Sequence, residues 1–69
     1  MNIKLLTALL ANYEAEYLKS EALLDNYLNN SVGIGEHPDV LGAIQTELDK
    51  ICTNEERIDI INKHFKSSI

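Results

Sequence analysis

The stretch NNSVGIGEHPD, residues 29–39, holds two of the three glycines and the one proline of the chain. Glycine tolerates positive φ angles, and Asn29 and Asn30 can leave a helix in the left-handed conformation. Pro38 suits the first turn of a new helix, and Asp39 beside it favours the positive end of the helix dipole. The stretch therefore predicts a turn between two helices.

On both sides of this turn, residues recur at alternating steps of three and four, the spacing of a helix that packs along another helix. The predicted seam of the first helix is Ile3, Leu6, Leu10, Tyr13, Tyr17, Ser20, Leu24 and Tyr27. The predicted seam of the second is Leu41, Ile44, Leu48, Ile51, Glu55, Ile58, Asn62 and Phe65. The first segment is also rich in Ala, Leu, Glu and Lys, which favour helices.

The sequence thus predicts an all-α fold, an antiparallel two-helix hairpin that forms a single domain over residues 1–69. We expect helices over about residues 3–29 and 38–65, joined by a loop over about residues 30–37. Folding the two seams together also places Tyr13 across from Glu55. A phenol and a carboxylate can share a hydrogen bond there, so we predict that contact.

Length and charge bound the functions open to this chain. A single core in 69 residues is marginal without further stabilisation. One cysteine cannot form an internal disulfide, which suits a reducing compartment and predicts a cytoplasmic protein. No run approaches the roughly 18 apolar residues of a membrane span, so no membrane association is expected. The formal charge of −5 would repel nucleic-acid phosphates over most of the surface.

The loop offers weak signals for ligand binding. Glycines that lead into a helix N-terminus can bind an anion, but Glu36 and Asp39 would repel it, and the rest of a phosphate-loop fingerprint is missing. His37 and these carboxylates are metal donors, but adjacent residues rarely converge on one ion, and His64 belongs to the other end of the hairpin. We therefore predict no metal and no cofactor.

Catalysis has no assembled candidate in the sequence. Cys52 has no histidine near it, and its place beside Ile51 predicts a small buried apolar side chain. Glu55 and Glu56 are adjacent on a helix and point about 100° apart, so they form no acid–base pair. The sequence therefore predicts a non-enzymatic protein without catalytic residues.

The best functional clue is apolar surface that two packed helices leave over. The candidate partner-binding residues, which lie partly or wholly off the predicted seams, are Leu5, Leu9, Leu18 and Ile60. Two interpretations remain open: a docking face for a protein partner, or a homodimer that completes a four-helix bundle. Scattered surface leucines are the plain alternative.

A second candidate surface is basic. The hairpin brings Lys4, Lys63 and Lys66 to the end that carries both termini, where they could contact phosphate as a weak DNA-binding module. The plain alternative is that Lys63 and Lys66 complement the negative end of the second helix dipole, aided by an ion pair between Asp59 and Lys63.

The string NNSVGIGEHPDVLGAI, residues 29–44, followed by an amphipathic helix closing on INKHF, resembles a family of small helical-hairpin phage proteins associated with the UvsW helicase of T-even-type phages. The similarity covers about residues 23–65, and VGIGEHPD is its most specific part. The resemblance implies an accessory role in phage DNA recombination, repair or replication, through contact with a DNA helicase. This chain has no GKS or GKT sequence and is far too short for a helicase motor, so helicase activity would belong to the partner.

Overall fold

The computed structural model describes residues 3–29 and 39–66, which form two helices and contain no strand. Helix α1 spans Ile3–Asn29, and helix α2 spans Val40–Phe65. They lie side by side in a rod of 51 × 15 × 14 Å. The predicted all-α helical hairpin is confirmed. The predicted loop over residues 30–37, its anion and metal interpretations and the predicted helix start at Pro38 lie outside the described residues.

Asn29 does not take the left-handed conformation expected of it, and Asn30 lies outside the described residues. Asn29 remains helical, and the described residues contain no non-glycine residue with a positive φ angle. Its side-chain amide instead donates a hydrogen bond to the carbonyl oxygen of Asp25, 2.9 Å away. The Asn29 side chain thus bonds back to the carbonyl one turn earlier in the helix.

Helix α2 begins with a side-chain cap. The Asp39 carboxylate accepts a hydrogen bond of 3.2 Å from the backbone N–H of Gly42. The backbone carbonyl of Asp39 accepts another, of 3.1 Å, from the backbone N–H of Ala43. This is the N-cap arrangement that stabilises the unpaired amides of a first helical turn. A Cβ atom at Gly42 would lie 2.5 Å from both carboxylate oxygens of Asp39, so the glycine leaves room for the cap.

A double-mutant cycle should reveal this coupling. We expect Asp39→Ala to lower the free energy of unfolding by about 1 kcal/mol, because the cap is lost. Gly42→Ala should stabilise the Asp39→Ala variant by up to about 1 kcal/mol through helix propensity. In the natural chain, Gly42→Ala should raise the free energy of unfolding much less, because the new methyl group displaces the Asp39 cap. Urea unfolding followed by circular dichroism measures all four proteins, and equal gains in both backgrounds would contradict the arrangement.

The α1 seam is confirmed over most of its length. Its half-buried members are Leu6, Leu10, Tyr13, Tyr17, Leu24 and Tyr27. Ser20 is the most deeply buried residue of the described chain, at 1% exposure. Ile3, at the start of the helix, is 46% exposed and was wrongly placed in the seam.

Half of the predicted α2 seam is wrong. The residues that face α1 as predicted are Ile44, Ile51, Ile58 and Phe65. The predicted seam residues that are exposed instead are Leu41, Leu48, Glu55 and Asn62. The residues that take their places, each one position earlier, are Val40, Glu47, Asn54 and Ile61. The α2 seam therefore contains the four correctly predicted residues together with the side chains on their other side from those predicted.

Two polar side chains lie in this corrected seam. Asn54 is 7% exposed, and its amide donates to the Lys50 carbonyl oxygen at 2.8 Å. Glu47 is also 7% exposed, and its Oε2 lies 3.8 Å from the Lys50 ammonium nitrogen, while its Oε1 has no hydrogen-bond partner.

The predicted hydrogen bond between Tyr13 and Glu55 is not present. The guanidinium carbon of Arg57 lies 5.1 Å from the centre of the Tyr13 ring, which is a cation–π contact between the helices. Glu55 is exposed. Because the seam lies one residue earlier than predicted, Glu55 moves to the flank of the hairpin, and Arg57 reaches Tyr13 from the other flank.

Candidate functional site

All four predicted partner-binding side chains are solvent-exposed. Leu5 and Leu18 are exposed by 63% and 62%, and Ile60 and Leu9 by 46% and 44%. Further large apolar side chains exposed among the described residues are Ile3, Leu23, Leu28, Leu41 and Leu48. Against these, Ile61, at 6% exposure, is the one apolar side chain of the described residues that is buried. Nine large apolar side chains of the described helices are thus open to solvent.

The four candidates do not form one patch. Leu5 and Leu9 are one turn apart on α1, on the flank where Arg57 covers Tyr13. Ile60 is three residues from Arg57 and lies on the same side of α2. We call this side of the hairpin, with Leu5, Leu9, Arg57 and Ile60, the Arg57 edge. Leu18 lies on the opposite flank and belongs to a different surface.

That surface is a groove between the helices. It has a volume of about 280 Å³ and is lined by Glu14, Tyr17, Leu18, Glu55 and Ile58. We call it the Tyr17 groove. Its lining combines the Tyr17 ring and two aliphatic side chains with one carboxylate from each helix. Sequence reasoning missed this groove because it assigned Glu55 to the seam, although Glu14 and Glu21 flank Tyr17 at helical spacing.

The acidic surroundings of Tyr17 perturb its phenol. The Glu21 carboxylate raises the pKa of Tyr17 above 10.0 most strongly, followed by the charge of Glu55, by desolvation, by a hydrogen bond with Glu21 and by the charge of Asp59. Each of these effects disfavours a second negative charge at this place. The Tyr17 groove is therefore a site of negative electrostatic potential.

Titration of the tyrosines should show this potential directly. In a Tyr13→Phe, Tyr27→Phe background, we expect Tyr17 to ionise at a higher pH than a free tyrosine, followed by absorbance at 295 nm. Glu21→Gln and Glu55→Gln should each lower that pKa towards 10.0, the ordinary value. Since the folded-state pKa is raised, the associated stability is present below about pH 10 and is lost as the pH rises through the folded-state pKa. An ordinary ionisation, unmoved by either substitution, would contradict the arrangement.

Cys52 is exposed rather than buried, which corrects the expectation from its neighbour Ile51. Because the observed α2 seam lies one residue earlier in the sequence than the predicted seam, Cys52 points away from α1. It lines a shallow depression of about 460 Å³ on the outer side of α2, together with residues from Glu55 to His64 of the same helix. His64 itself lies in the last turn and packs edge-on against Phe65, with ring centres 6.3 Å apart.

The three candidate phosphate-contacting lysines, Lys4, Lys63 and Lys66, are all exposed at the end of the hairpin where α1 begins and α2 ends. The predicted ion pair between Asp59 and Lys63 does not form; over residues 3–29 and 39–66 the one ion pair is that of Lys50 with Glu47. The basic side chains at this end are therefore open to solvent.

Comparison with known protein families, with curated proteins and with solved structures finds no match to this chain. Within the described helices, no group of three or more His, Cys, Asp or Glu side chains is arranged to hold a metal ion. Neither described helix combines the length and apolar character that crossing a membrane requires. The functional argument therefore starts from the Arg57 edge, the Tyr17 groove and the basic end.

Proposed function

We propose that this chain is a non-enzymatic accessory protein that acts by binding another protein. The single observation that carries the proposal is the amount of apolar surface that the two helices expose. Nine large apolar side chains of the described helices are exposed, whereas Ile61 is the one apolar side chain there that is buried. Exposed apolar surface of this kind is typical of sites that bind another protein.

The Arg57 edge is the part of that surface best suited to a partner. Helical spacing places Leu5, Leu9 and Ile60 on the same side of the hairpin as the Arg57 guanidinium, which is in contact with the Tyr13 ring. Aliphatic anchors beside a pre-ordered arginine are typical of interface centres. A partner that covers this edge would bury the leucines without having to order the arginine first.

The partner class comes from the resemblance of residues 23–65 to the small hairpin proteins of T-even-type phages. On that basis we propose a UvsW-type DNA helicase as the partner, in phage DNA recombination, repair or replication in the host cytoplasm. The chain would contribute contact surface, and ATP hydrolysis and DNA unwinding would remain with the helicase.

Binding to a purified UvsW-type helicase, measured by isothermal titration calorimetry, tests this proposal. We expect Leu9→Glu and Ile60→Glu each to weaken binding at least tenfold, because a charge would be buried in the interface. Leu41→Glu is the matched control, since Leu41 is 78% exposed and lies at the other end of the hairpin. No binding by the natural chain, or an equal loss with Leu41→Glu, would contradict the proposal.

A structural homodimer is the first alternative occupant of the same surface. Two chains that each carry a charge of −5 repel one another, which favours a different partner. Sedimentation over a range of concentrations separates the two cases. A monomer throughout that range supports a partner of another kind, and a stable dimer that does not bind the helicase overturns the proposal.

Direct DNA contact is a second candidate, favoured by the three exposed lysines at one end of the hairpin. Over residues 3–10 and 58–66, Asp59 is the one acidic side chain. Three phosphate contacts predict a slope of about −2 to −3 for log affinity against log salt. Anisotropy of a labelled duplex measures this slope, with Lys19→Gln as a control away from that end. Absence of binding at low salt would remove this candidate.

A further inference from the structure

We infer that the Tyr17 groove binds an arginine side chain of a basic segment on the protein partner. This inference rests on the proposed protein-binding function and adds the chemistry of one contact. It concerns the flank of the hairpin opposite the Arg57 edge, where Glu14, Leu18 and Glu55 surround Tyr17.

The shape and lining of the groove match an arginine. Its volume of about 280 Å³ is below the range of about 300 to 1,000 Å³ typical of small-molecule pockets, so it suits a single side chain. Leu18 and Ile58 would contact the methylene groups of an arginine, and the Tyr17 ring would contact its guanidinium. Glu14 on α1 and Glu55 on α2 would accept hydrogen bonds from the guanidinium.

The hairpin already uses this chemistry once. One turn away on α1, the Tyr13 ring is covered by Arg57 of the same chain, at 5.1 Å. In the described helices, Tyr17 has no such contact with a lysine or arginine, and carboxylates surround it instead. The raised pKa of Tyr17 reports the same negative potential. The groove therefore offers an aromatic ring and negative charge to a cation. The described helices place no lysine or arginine against that ring.

Charge also selects the kind of occupant. The chain carries 11 acidic and 6 basic residues, so a second copy would bring net negative charge to an acidic groove. A basic segment of another protein would instead be attracted to it. Arginine is favoured over lysine because its planar guanidinium stacks on an aromatic ring and binds carboxylates with two parallel hydrogen bonds.

The test uses a probe peptide and the full chain. The probe is a capped twelve-residue amphipathic peptide with leucine and arginine at helical spacing, and matched peptides carry lysine or neutral citrulline in place of arginine. Binding is followed by backbone amide chemical shifts in ¹⁵N NMR spectra. We expect the largest shifts at residues 14–18 and 55–58, at least threefold weaker binding of the lysine peptide, and none of the citrulline peptide.

Two adjacent substitutions provide the decisive comparison. Glu55→Gln and Glu56→Gln remove the same charge from neighbouring exposed positions, but only Glu55 lines the groove. We expect Glu55→Gln to raise the dissociation constant of the arginine peptide at least fivefold, and Glu56→Gln less than twofold. Thermal unfolding checks that both variants remain folded. Equal effects of the two substitutions, equal binding of the lysine peptide, or shifts away from the groove would each overturn the inference.

The outcome is separable from that of the proposed function. If the helicase binds through the Arg57 edge and Glu55→Gln has no effect on peptide or helicase, the arginine contact is wrong and the accessory function stands. If the arginine peptide occupies the groove and the helicase does not bind at all, the groove stands and the helicase is the wrong partner.

Discussion

Replacing Ile61 by alanine is expected to lower the free energy of unfolding by about 2 to 5 kcal/mol, the range for truncating a buried isoleucine. Ile61 is 6% exposed and is the one buried apolar side chain in the described helices. A hairpin of this size has few other contacts that could absorb the loss. The variant should therefore be largely unfolded at temperatures where the natural chain is folded.

The neighbouring isoleucine supplies the control. Ile60 is 46% exposed and lies about 100° from Ile61 around the helix axis. Ile60→Ala should therefore lower the free energy of unfolding by less than about 1 kcal/mol. Asn62→Ala should also have a small effect, although the sequence pattern places Asn62 in the seam. Urea unfolding followed by circular dichroism measures all three variants. A cost at Ile60 that equals the cost at Ile61 would mean that α2 presents a different face to α1.

The hairpin itself could be predicted from the sequence because its signals agree. Helix α1 keeps one unbroken spacing of three and four residues from Leu6 to Tyr27, with no glycine or proline inside it. Glycines and a proline then follow in a single short stretch. Local preference and long-range pattern therefore point to the same fold, which is the condition for a reliable inference from sequence.

The face of α2 could not be predicted, because its pattern fits two seams equally well. Both seams share Ile44, Ile51, Ile58 and Phe65, and each adds two apolar and two polar side chains. Which flank is buried depends on what lies opposite it on α1. The choice is thus a property of the assembled pair of helices and not of the α2 sequence alone.

The displaced seam also explains two errors about single residues and one contact that was not predicted. When the seam moves one position earlier, Cys52 turns away from α1 and becomes exposed. Glu55 leaves the centre of the hairpin and lines the Tyr17 groove. Arg57, for which no contact was predicted, comes within reach of the Tyr13 ring. Both surfaces to which we assign protein contacts thus follow from the face that α2 presents.

Replacing Glu47 by leucine is expected to raise the free energy of unfolding by about 1 to 3 kcal/mol. Buried ionised side chains are often less favourable than apolar ones of similar volume, because the interaction with a partner does not repay their desolvation. Glu47 is 7% exposed, and one of its carboxylate oxygens has no hydrogen-bond partner. Its contact with Lys50 is long, at 3.8 Å, and the lysine side chain is 53% exposed.

Two further variants separate burial from general effects of charge. Asp49→Leu removes the same charge from an exposed position of α2, so its effect should stay within about 0.5 kcal/mol. Glu47→Gln keeps a polar side chain in the seam, and its amide must still be desolvated. It should therefore raise the free energy of unfolding less than Glu47→Leu does. Chemical denaturation measures all three at one pH and one salt concentration. If Glu47→Leu instead lowers the free energy of unfolding, the prediction is wrong, and the Glu47 carboxylate must make favourable contacts in the natural chain. Glu47 would then help to hold α2 in the observed seam.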